Sequence, residues 1–415
     1  MNAFILAIGN ELLNGDIVDT NSSFIERELS AYSLQVRKVS ILPDDPGLAR
    51  AAIRSGIEEF SHVFIMGGLG PTEDDITREA VAGALGRPLV KDPAELEILK
   101  RKFDSCGRAM PSNNEKQALF PQGSQILPNP IGTACGFFLS EKGCRVFAFP
   151  GVPSEMKRMF LDQALPILSI ELPKRQGTER LVVKTIGTGE SAIDAIIKEK
   201  IVPRHCVRWE ILAGGEGIII KFYPTKEDSG WKARLREDLE ACLGQLIYGY
   251  GEEEMGAIIG GLLAGKNLTL GCVESCTGGH ISKYLTDRAG SSAYFNGGLV
   301  VYSNELKVRL AGVSPALLER HGAVSVETAE ALARGGKRAL GCDVCLAVTG
   351  IAGPGGGSEE KPVGTVCFGI ADHRDRVAVE RRVISGDRAD IRERALFHGL
   401  NMVRLALLDV AGNAS

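Results

Sequence analysis

The chain has 415 residues, 44% of them hydrophobic and 24% charged, with a net charge of −4. That is ample material for several buried cores, two to four domains at about 150 residues each, and it excludes wholesale disorder. The acidic balance excludes a whole-chain basic footprint for nucleic acid, and no stretch approaches the roughly 18 uncharged apolar residues of a membrane span.

The first 170 residues alternate strands and helices. Phe4–Ile8 is a continuous apolar run ending at Gly9, the pattern of a buried parallel strand. The helical spacing of Asn21–Tyr32 follows, then an alternating strand at Gln35–Leu42 and a helix at Pro46–Phe60. His62–Met66 is a second buried strand, followed by helices at Ile76–Leu85 and Ala94–Phe103 and a strand at Cys144–Phe149. This order predicts a three-layer α/β domain on a mainly parallel sheet, residues 1–170. The polar stretch Leu172–Gly177 reads as a linker into a small α/β segment, 171–254. Strands are predicted there at Leu181–Ile186 and Gly217–Tyr223, and helices at Ser191–Lys200 and Trp231–Leu243. A third α/β domain, 255–415, is predicted to hold strands at Leu268–Val273, Leu299–Tyr302, Cys345–Thr349 and Thr365–Ala371, and to close on a helix from about Ala389 to Val410.

Glycine, at 50 residues, exceeds its usual share of about 7%, and many glycines follow the predicted strands. Gly67-Gly68-Leu69-Gly70-Pro71-Thr72-Glu73-Asp74-Asp75 leaves one buried strand and opens a helix, a place where backbone N–H groups and the helix terminus favour an anion. Adjacent Asp74 and Asp75 suit a divalent cation bridging carboxylate and phosphate. Thr72 and Asp74 as simple helix caps would not account for three glycines plus an acidic pair. The loops at Gly9-Asn10-Glu11, Asn129–Ala134 and Pro150–Glu155 are expected at the same sheet edge, which makes a pocket there.

The ten cysteines lie mostly in apolar runs, and Cys342-Asp-Val-Cys345 has no second pair to complete a zinc site. Six scattered histidines supply no Ser-His-Asp set. Any metal site is therefore expected to use carboxylates and a hard ion such as Mg2+. In the last domain, Glu274-Ser275-Cys276-Thr277-Gly278-Gly279 repeats the strand, glycine turn, helix pattern. A serine nucleophile there would need Lys or Tyr as its base. Tyr302 and Lys307 are close enough in sequence to face one pocket, and an amine beside the Tyr302 hydroxyl would favour phenolate. Glycine-turn N–H groups would serve as an oxyanion site. The middle segment carries thirteen basic against fifteen acidic residues, which argues against nucleic-acid binding.

The strings GNELLNGDIVDTNS, GGLGPTEDDITREAVA, MPSNNEKQA, NPIGTACGF and FPGVPSEMK, followed by ESCTGG, GSSAYF, GGLVVYSNELK, HGAVS, TGIAGPGGGSEEKPVGTV and SGDR, together resemble the CinA family of competence/damage-inducible proteins. The resemblance implies a molybdopterin-binding-like N-terminal domain that cleaves ADP-ribose to AMP and ribose 5-phosphate with a divalent metal. It also implies a KH-like middle domain and a C-terminal nicotinamide mononucleotide (NMN) deamidase with no cofactor. Carried onto this chain, Asp74 and Asp75 become metal residues and Gly68, Gly70 and Thr72 a phosphate loop, with Asn10 and Glu11 on the substrate. Ser292 becomes the nucleophile, activated by Tyr302 and Lys307, with Ser291 and Ser275 as open alternatives. Cys276 is a chemical rival that lacks an adjacent base. Ser275, Thr277, Gly278, Gly279, Thr349 and Gly350 are expected on the substrate and Arg388 on its phosphate. A cytoplasmic homodimer acting on NMN and ADP-ribose is the expectation. The alternatives are a molybdopterin-binding protein and a non-enzymatic competence or DNA-damage accessory.

Overall fold

The computed structural model describes residues 1–172, 180–226 and 230–408. The chain divides into two compact units, Met1–Thr178 and Glu179–Ser415.

The first unit is built on β1 (Asn2–Ile8), β2 (Gln35–Leu42), β3 (His62–Met66), a small ribbon of β4 (Leu89–Lys91) and β5 (Leu119–Pro121), β6 (Gln125–Leu127), β7 (Gly136–Glu141) and β8 (Cys144–Phe149). The main sheet runs β2-β1-β3-β8-β7-β6. Its first four strands are parallel, and β7 and β6 are antiparallel. Successive side chains of a strand point to opposite faces, and β1 shows the consequence. Ala3, Ile5 and Ala7 join one core with Phe24, Leu29 and Phe160, whereas Phe4, Leu6 and Ile8 join another with Ile53 and Val81. Helices thus cover both faces, giving three layers. Asp45 starts the helix Pro46–Glu59 by accepting from Leu48 N at 2.8 Å, with Pro46 in the first turn where its missing N–H costs nothing.

The second unit holds two sheets. One contains β9 (Leu181–Thr185), β10 (Val207–Gly214), β11 (Gly217–Pro224) and β12 (Ile247–Tyr250) in the order β10-β11-β9-β12, all antiparallel. The other contains β13 (Leu270–Glu274), β14 (Phe295–Val300), β15 (Val344–Gly350), β16 (Thr365–Ala371) and β17 (Val377–Val383) in the order β14-β13-β15-β16-β17. Its first three strands are parallel and its last two antiparallel. Helix Arg388–Leu407 packs on one face against Leu346 and Phe368, and helix Val326–Leu340 packs on the other against Val273 and Ala347. Buried Arg404 donates to the carbonyls of Ile247 (3.2 Å) and Gln245, tying the smaller sheet to that long helix.

Most of the linker expected at Leu172–Gly177 lies outside the described residues, as does the expected helix end at Val410. Eight strands depart from the sequence reading: β14 is displaced, and β4, β5, β6, β7, β10, β12 and β17 are not among those expected. Expected at Leu299–Tyr302, β14 instead begins at Phe295, because Asn296, Gly297 and Gly298 enter the ladder despite poor strand propensity. The edge strands β10 and β17 are largely exposed, so they carry little of the apolar signal that marks buried strands.

Candidate functional site

In the first unit β1, β3 and β8 are parallel neighbours, so the loops after Ile8, Met66 and Phe149 leave one carboxyl edge. They meet at Gly67, whose N donates to Phe149 O at 3.0 Å. A Cβ on Gly67 (φ 96°) would lie 2.1 Å from Ile8 O, so only glycine fits. Gly68 follows, also at positive φ. Asn10 N donates to the Asp44 carboxylate at 2.9 Å, and Asn10 and Glu11 are exposed. Thr72, Asn113 and Lys116 help line a cavity of about 390 Å³ beside the loop, with Lys116 Nζ on Thr72 O at 3.2 Å.

Asp75 folds back into its own loop. Its carboxylate accepts from Gly70 N at 2.7 Å, Thr72 N at 2.8 Å and Thr72 Oγ1 at 2.5 Å. The amides expected to face a phosphate therefore already face an anion, one belonging to the chain. Arg78, fully buried, steadies the turn by donating to Leu69 O at 2.8 Å, and burial lowers its pKa to about 10. Asp74 is exposed. Among the described residues no group of three His, Cys, Asp or Glu side chains is placed to hold a metal. Mg2+ keeps several waters and is held by one or two carboxylates plus phosphate oxygens. Asp75 is engaged by its own loop and Asp74 is exposed, so the two carboxylates expected to hold a metal are not preassembled as a pair.

The second unit assembles a tighter site at the carboxyl ends of β13, β14 and β15. Glu274, fully buried at the end of β13, accepts from Gly279 N (3.0 Å), Ile281 N (3.0 Å), Ser282 N (2.9 Å) and Ser282 Oγ (2.7 Å). It thus meets the first N–H groups of helix His280–Thr286 and fixes the turn that carries Ser275, with Gly278 and Gly279 at positive φ within it. The backbone is held on both sides: Ser275 N donates to Val348 O at 2.9 Å, and Val301 N to Glu274 O at 2.8 Å.

Lys307 comes from helix Asn304–Ala311, which Ser303 caps by accepting from Leu306 N. Its side chain is 1% exposed. Nζ lies 3.1 Å from Ser275 Oγ, 3.0 Å from Val301 O and 3.2 Å from Tyr302 O. No carboxylate pairs with it among the described residues, and burial pulls its pKa below the ordinary 10.5. A neutral amine has two N–H donors and one lone pair. An ammonium has three donors, which the two carbonyls and the Ser275 hydroxyl oxygen accept, and on losing a proton the same Nζ turns its lone pair to the Ser275 hydroxyl. Ser275, Tyr302, Asn304, Lys307, Thr349 and Arg388 line a cleft of about 180 Å³, and Gly350 joins them. Thr349 Oγ1 donates to Ala323 O at 2.8 Å. Cys276 also reaches the cleft, but burial pushes its thiol up to about 12, so it stays protonated at neutral pH.

The structure separates the expected nucleophile from Lys307. Ser291 and Ser292 form a short turn ahead of β14, and Ser292 is exposed. Because β14 pairs in parallel with β13, that turn sits beside Leu270, at the opposite end from Ser275. Six residues at about 3.3 Å each put it on the order of 20 Å from the cleft. Ser275 is the serine that meets the lysine. The expected amine–phenol pair is also absent: Lys307 meets the Tyr302 carbonyl, while Tyr302, 63% exposed, receives Arg388 Nη2 on its hydroxyl at 3.4 Å. Arg388 Nη1 donates to Gly353 O at 2.7 Å. Thr277 is wholly buried, its hydroxyl is without a partner, and its carbonyl takes Arg392 Nη2 at 2.7 Å. The sequence reading missed Glu274 and Arg392. For Glu274 the signal was present: an acid ending an apolar strand four residues before a glycine pair must find donors inside the fold.

A family model described as the CinA C-terminal domain matches residues 252–407, and one described as a probable molybdopterin binding domain matches residues 4–169. A putative competence-damage inducible protein of Moorella thermoacetica is 40% identical over 395 residues, covering 94% of this chain and 95% of its own. A CinA-like protein of Geobacter sulfurreducens is 40% identical over 424 residues, covering 98% of this chain and 100% of its own. Among solved structures, the protein CinA with unknown function from Thermoplasma acidophilum is 35% identical, with a TM-score of 0.38 over 40% of this chain and 97% of its own.

Proposed function

The chain belongs to the CinA family, and from the geometry of its C-terminal cleft we propose that it is an amidohydrolase converting NMN to nicotinate mononucleotide and ammonia. The observation that carries this reading is the buried Lys307 amine, unpaired by any carboxylate among the described residues, 3.1 Å from Ser275 Oγ. In the scheme, Ser275 Oγ attacks the amide carbon while its proton passes to Lys307. The oxyanion is met by backbone N–H groups of the glycine turn. The amide nitrogen takes that proton back from Lys307 as the tetrahedral intermediate collapses, and leaves as ammonia. A water, deprotonated by the same amine, then releases the acid and restores Ser275. Tyr302, tethered to Arg388, stands at the cleft where the pyridine ring would lie, and its part is with the substrate rather than with the serine. The test is ammonia release from NMN by the full chain with EDTA present. No release, or release that needs an added divalent ion, removes the proposal.

For the N-terminal unit two readings stand. ADP-ribose hydrolysis to AMP and ribose 5-phosphate follows from family membership and from the three loops at one sheet edge. Asp75 is engaged by its own loop, and this favours the second reading, a pterin-type nucleotide-binding domain that performs no metal-dependent hydrolysis. AMP formation from ADP-ribose and Mg2+ by the full chain decides between them. A cytoplasmic homodimer, with residues 171–254 as a third, KH-like domain, completes the proposal, and sedimentation of the full chain tests the dimer. No observation favours a non-enzymatic accessory role.

A further inference from the structure

Cys342 and Cys345 meet where helix Val326–Leu340 turns into β15. Cys342 follows Gly341, which ends the helix at positive φ, and Cys345 is the second residue of the strand. Both side chains belong to the core on that helix's face of the sheet. Cys272, on neighbouring β13, joins the core on the opposite face and does not compete as a partner. Cys345 is wholly buried and Cys342 is 5% exposed, so Cys342 is the member of the pair nearer to solvent.

Two glycines leave room for the sulfurs. A Cβ on Gly271 of β13 would stand 2.7 Å from Cys342 Sγ, and one on Gly336 of the helix would stand 2.8 Å from Cys345 Sγ besides striking Val273. Glycine weakens the interior of a strand or helix, yet here it opens the space in which the thiols touch. They share a hydrogen bond, which holds the Cys342 thiol below its usual value and pushes Cys345, the donor, well up. Asp343 between them opposes a thiolate, but its carboxylate is engaged elsewhere, accepting from Thr269 N and Thr269 Oγ1 at 2.8 Å each. Among the described residues no group of three ligating side chains is placed to hold a metal here. A thiol favoured as thiolate, with a second thiol against it, is equipped to react and to be resolved.

We infer that Cys342 and Cys345 form a reversible oxidation site for hydrogen peroxide. The Cys342 thiolate attacks one peroxide oxygen and the O–O bond breaks. Cys342 becomes a sulfenic acid, and the departing hydroxide takes up the proton that the thiol released and leaves as water. Cys345 Sγ then attacks the Cys342 sulfur. The S–O bond breaks, the Cys345 proton leaves with the hydroxide as a second water, and a Cys342–Cys345 disulfide remains. Peroxide gains the two electrons that the two thiols lose, and a dithiol reductant returns them by exchange. The narrow access to Cys342 favours an oxidant of this size over a bulky disulfide. The site is separate from the Ser275 cleft, since Cys345 lies at the amino end of β15 and Thr349 near its carboxyl end.

The test adds hydrogen peroxide to the folded full chain in steps up to one equivalent, quenches it, and alkylates the remaining thiols with iodoacetamide in urea. Cleavage after Arg338 and Glu359 then isolates Cys342 and Cys345 from every other cysteine. By mass, that peptide should lose two hydrogens and carry no alkyl group before the exposed Cys106 and Cys206 lose theirs, and dithiothreitol should restore both thiols. Cys345→Ala should instead accumulate a Cys342 sulfenic acid that dimedone traps, and Cys342→Ala should leave Cys345 reduced. A pair that stays alkylated while Cys106 and Cys206 are oxidised overturns the inference, as does oxidation of Cys345 in Cys342→Ala. A disulfide that forms only when peroxide is added in urea overturns it too, because the folded thiols are then out of each other's reach. Should a variant fail to fold, the wild-type measurement decides alone.

Discussion

Replacing Lys307 by methionine tests the catalytic scheme most directly, because methionine keeps the stem and removes the amine. A positioned general base contributes roughly 10²–10⁴-fold, about 3–5 kcal/mol of barrier at 1.36 kcal/mol per decade. Folding pulls two ways. Val301 O, Tyr302 O and Ser275 Oγ lose their shared partner, at about 1–3 kcal/mol for each buried group left unpaired. Against this, a desolvated ammonium whose burial also costs several kcal/mol disappears. The terms nearly cancel, so Lys307→Met should stay folded, with stability within about 2 kcal/mol of wild type, while kcat falls at least about a hundredfold. The pH dependence has a definite sign. The working amine is neutral and its folded pKa lies below 10.5, so wild-type kcat/KM rises with pH and levels off above that folded value. The same depression links to stability: the unfolded chain binds the proton more readily, so the contribution is present above 10.5 and lost as pH falls through the folded pKa. Ammonia release measured against pH, beside thermal melts of both proteins, checks all of this. A folded Lys307→Met enzyme within tenfold of wild-type kcat, or one whose residual activity kept the same rising limb, would refute the lysine as base.

Ser275→Ala should abolish NMN deamidation to below roughly a thousandth of wild type, whereas Ser292→Ala should stay within about twofold because its hydroxyl is exposed and far from Lys307; parallel kcat measurements separate them. Cys276→Ala should retain deamidation within about tenfold, since a thiol pushed up to about 12 supplies almost no thiolate, and a dead variant would demand a cysteine mechanism. Glu274→Gln should lower stability by about 2–3 kcal/mol in urea denaturation, because an amide places an NH2 against N–H groups that need an acceptor. Asp75→Ala should destabilise the N-terminal unit by about 1–3 kcal/mol, the scale for unpairing its loop amides, while leaving Mg2+ binding by calorimetry as in wild type; a lost Mg2+ isotherm would return Asp75 to the metal.

The sequence made the buried strands legible because nearly all of their residues are buried. Phe4–Ile8, His62–Met66 and Cys144–Phe149 are apolar on both faces, and each ends at a glycine or proline that opens a loop on the shared edge. Lys307 and Tyr302 were legible as members of one site, since a strand end and the next helix must meet. Which serine joined them was not. Ser275 and Ser292 both sit in Gly/Ser turns beside the same sheet, and only the parallel pairing of β13 with β14 places one at its carboxyl end and the other at its amino end. Strand direction is a property of pairing, and local composition does not contain it. The side-chain target of Asp75 was hidden for a related reason. An acidic residue after a glycine loop can face a ligand or its own turn, and the choice is decided by torsions three to five residues away.

That choice links the two units. In each, a glycine turn follows a buried parallel strand, and in each a carboxylate of the chain itself fills part of the turn's N–H array: Asp75 for the 70–72 turn and Glu274 for the 279–282 helix start. The consequences differ because the carboxylates stand in different places. Asp75 follows its turn and closes over it, occupying the positions a phosphate would take. Glu274 precedes its turn and takes the helix amides from beneath, which leaves Ser275 open to the cleft and to Lys307. A glycine-rich turn after a strand therefore predicts an anion, and the position of the nearest acid decides whose anion it is. By that rule the cleft at Ser275 is a site built for a ligand, and the N-terminal loop is a site that a ligand must first share with Asp75.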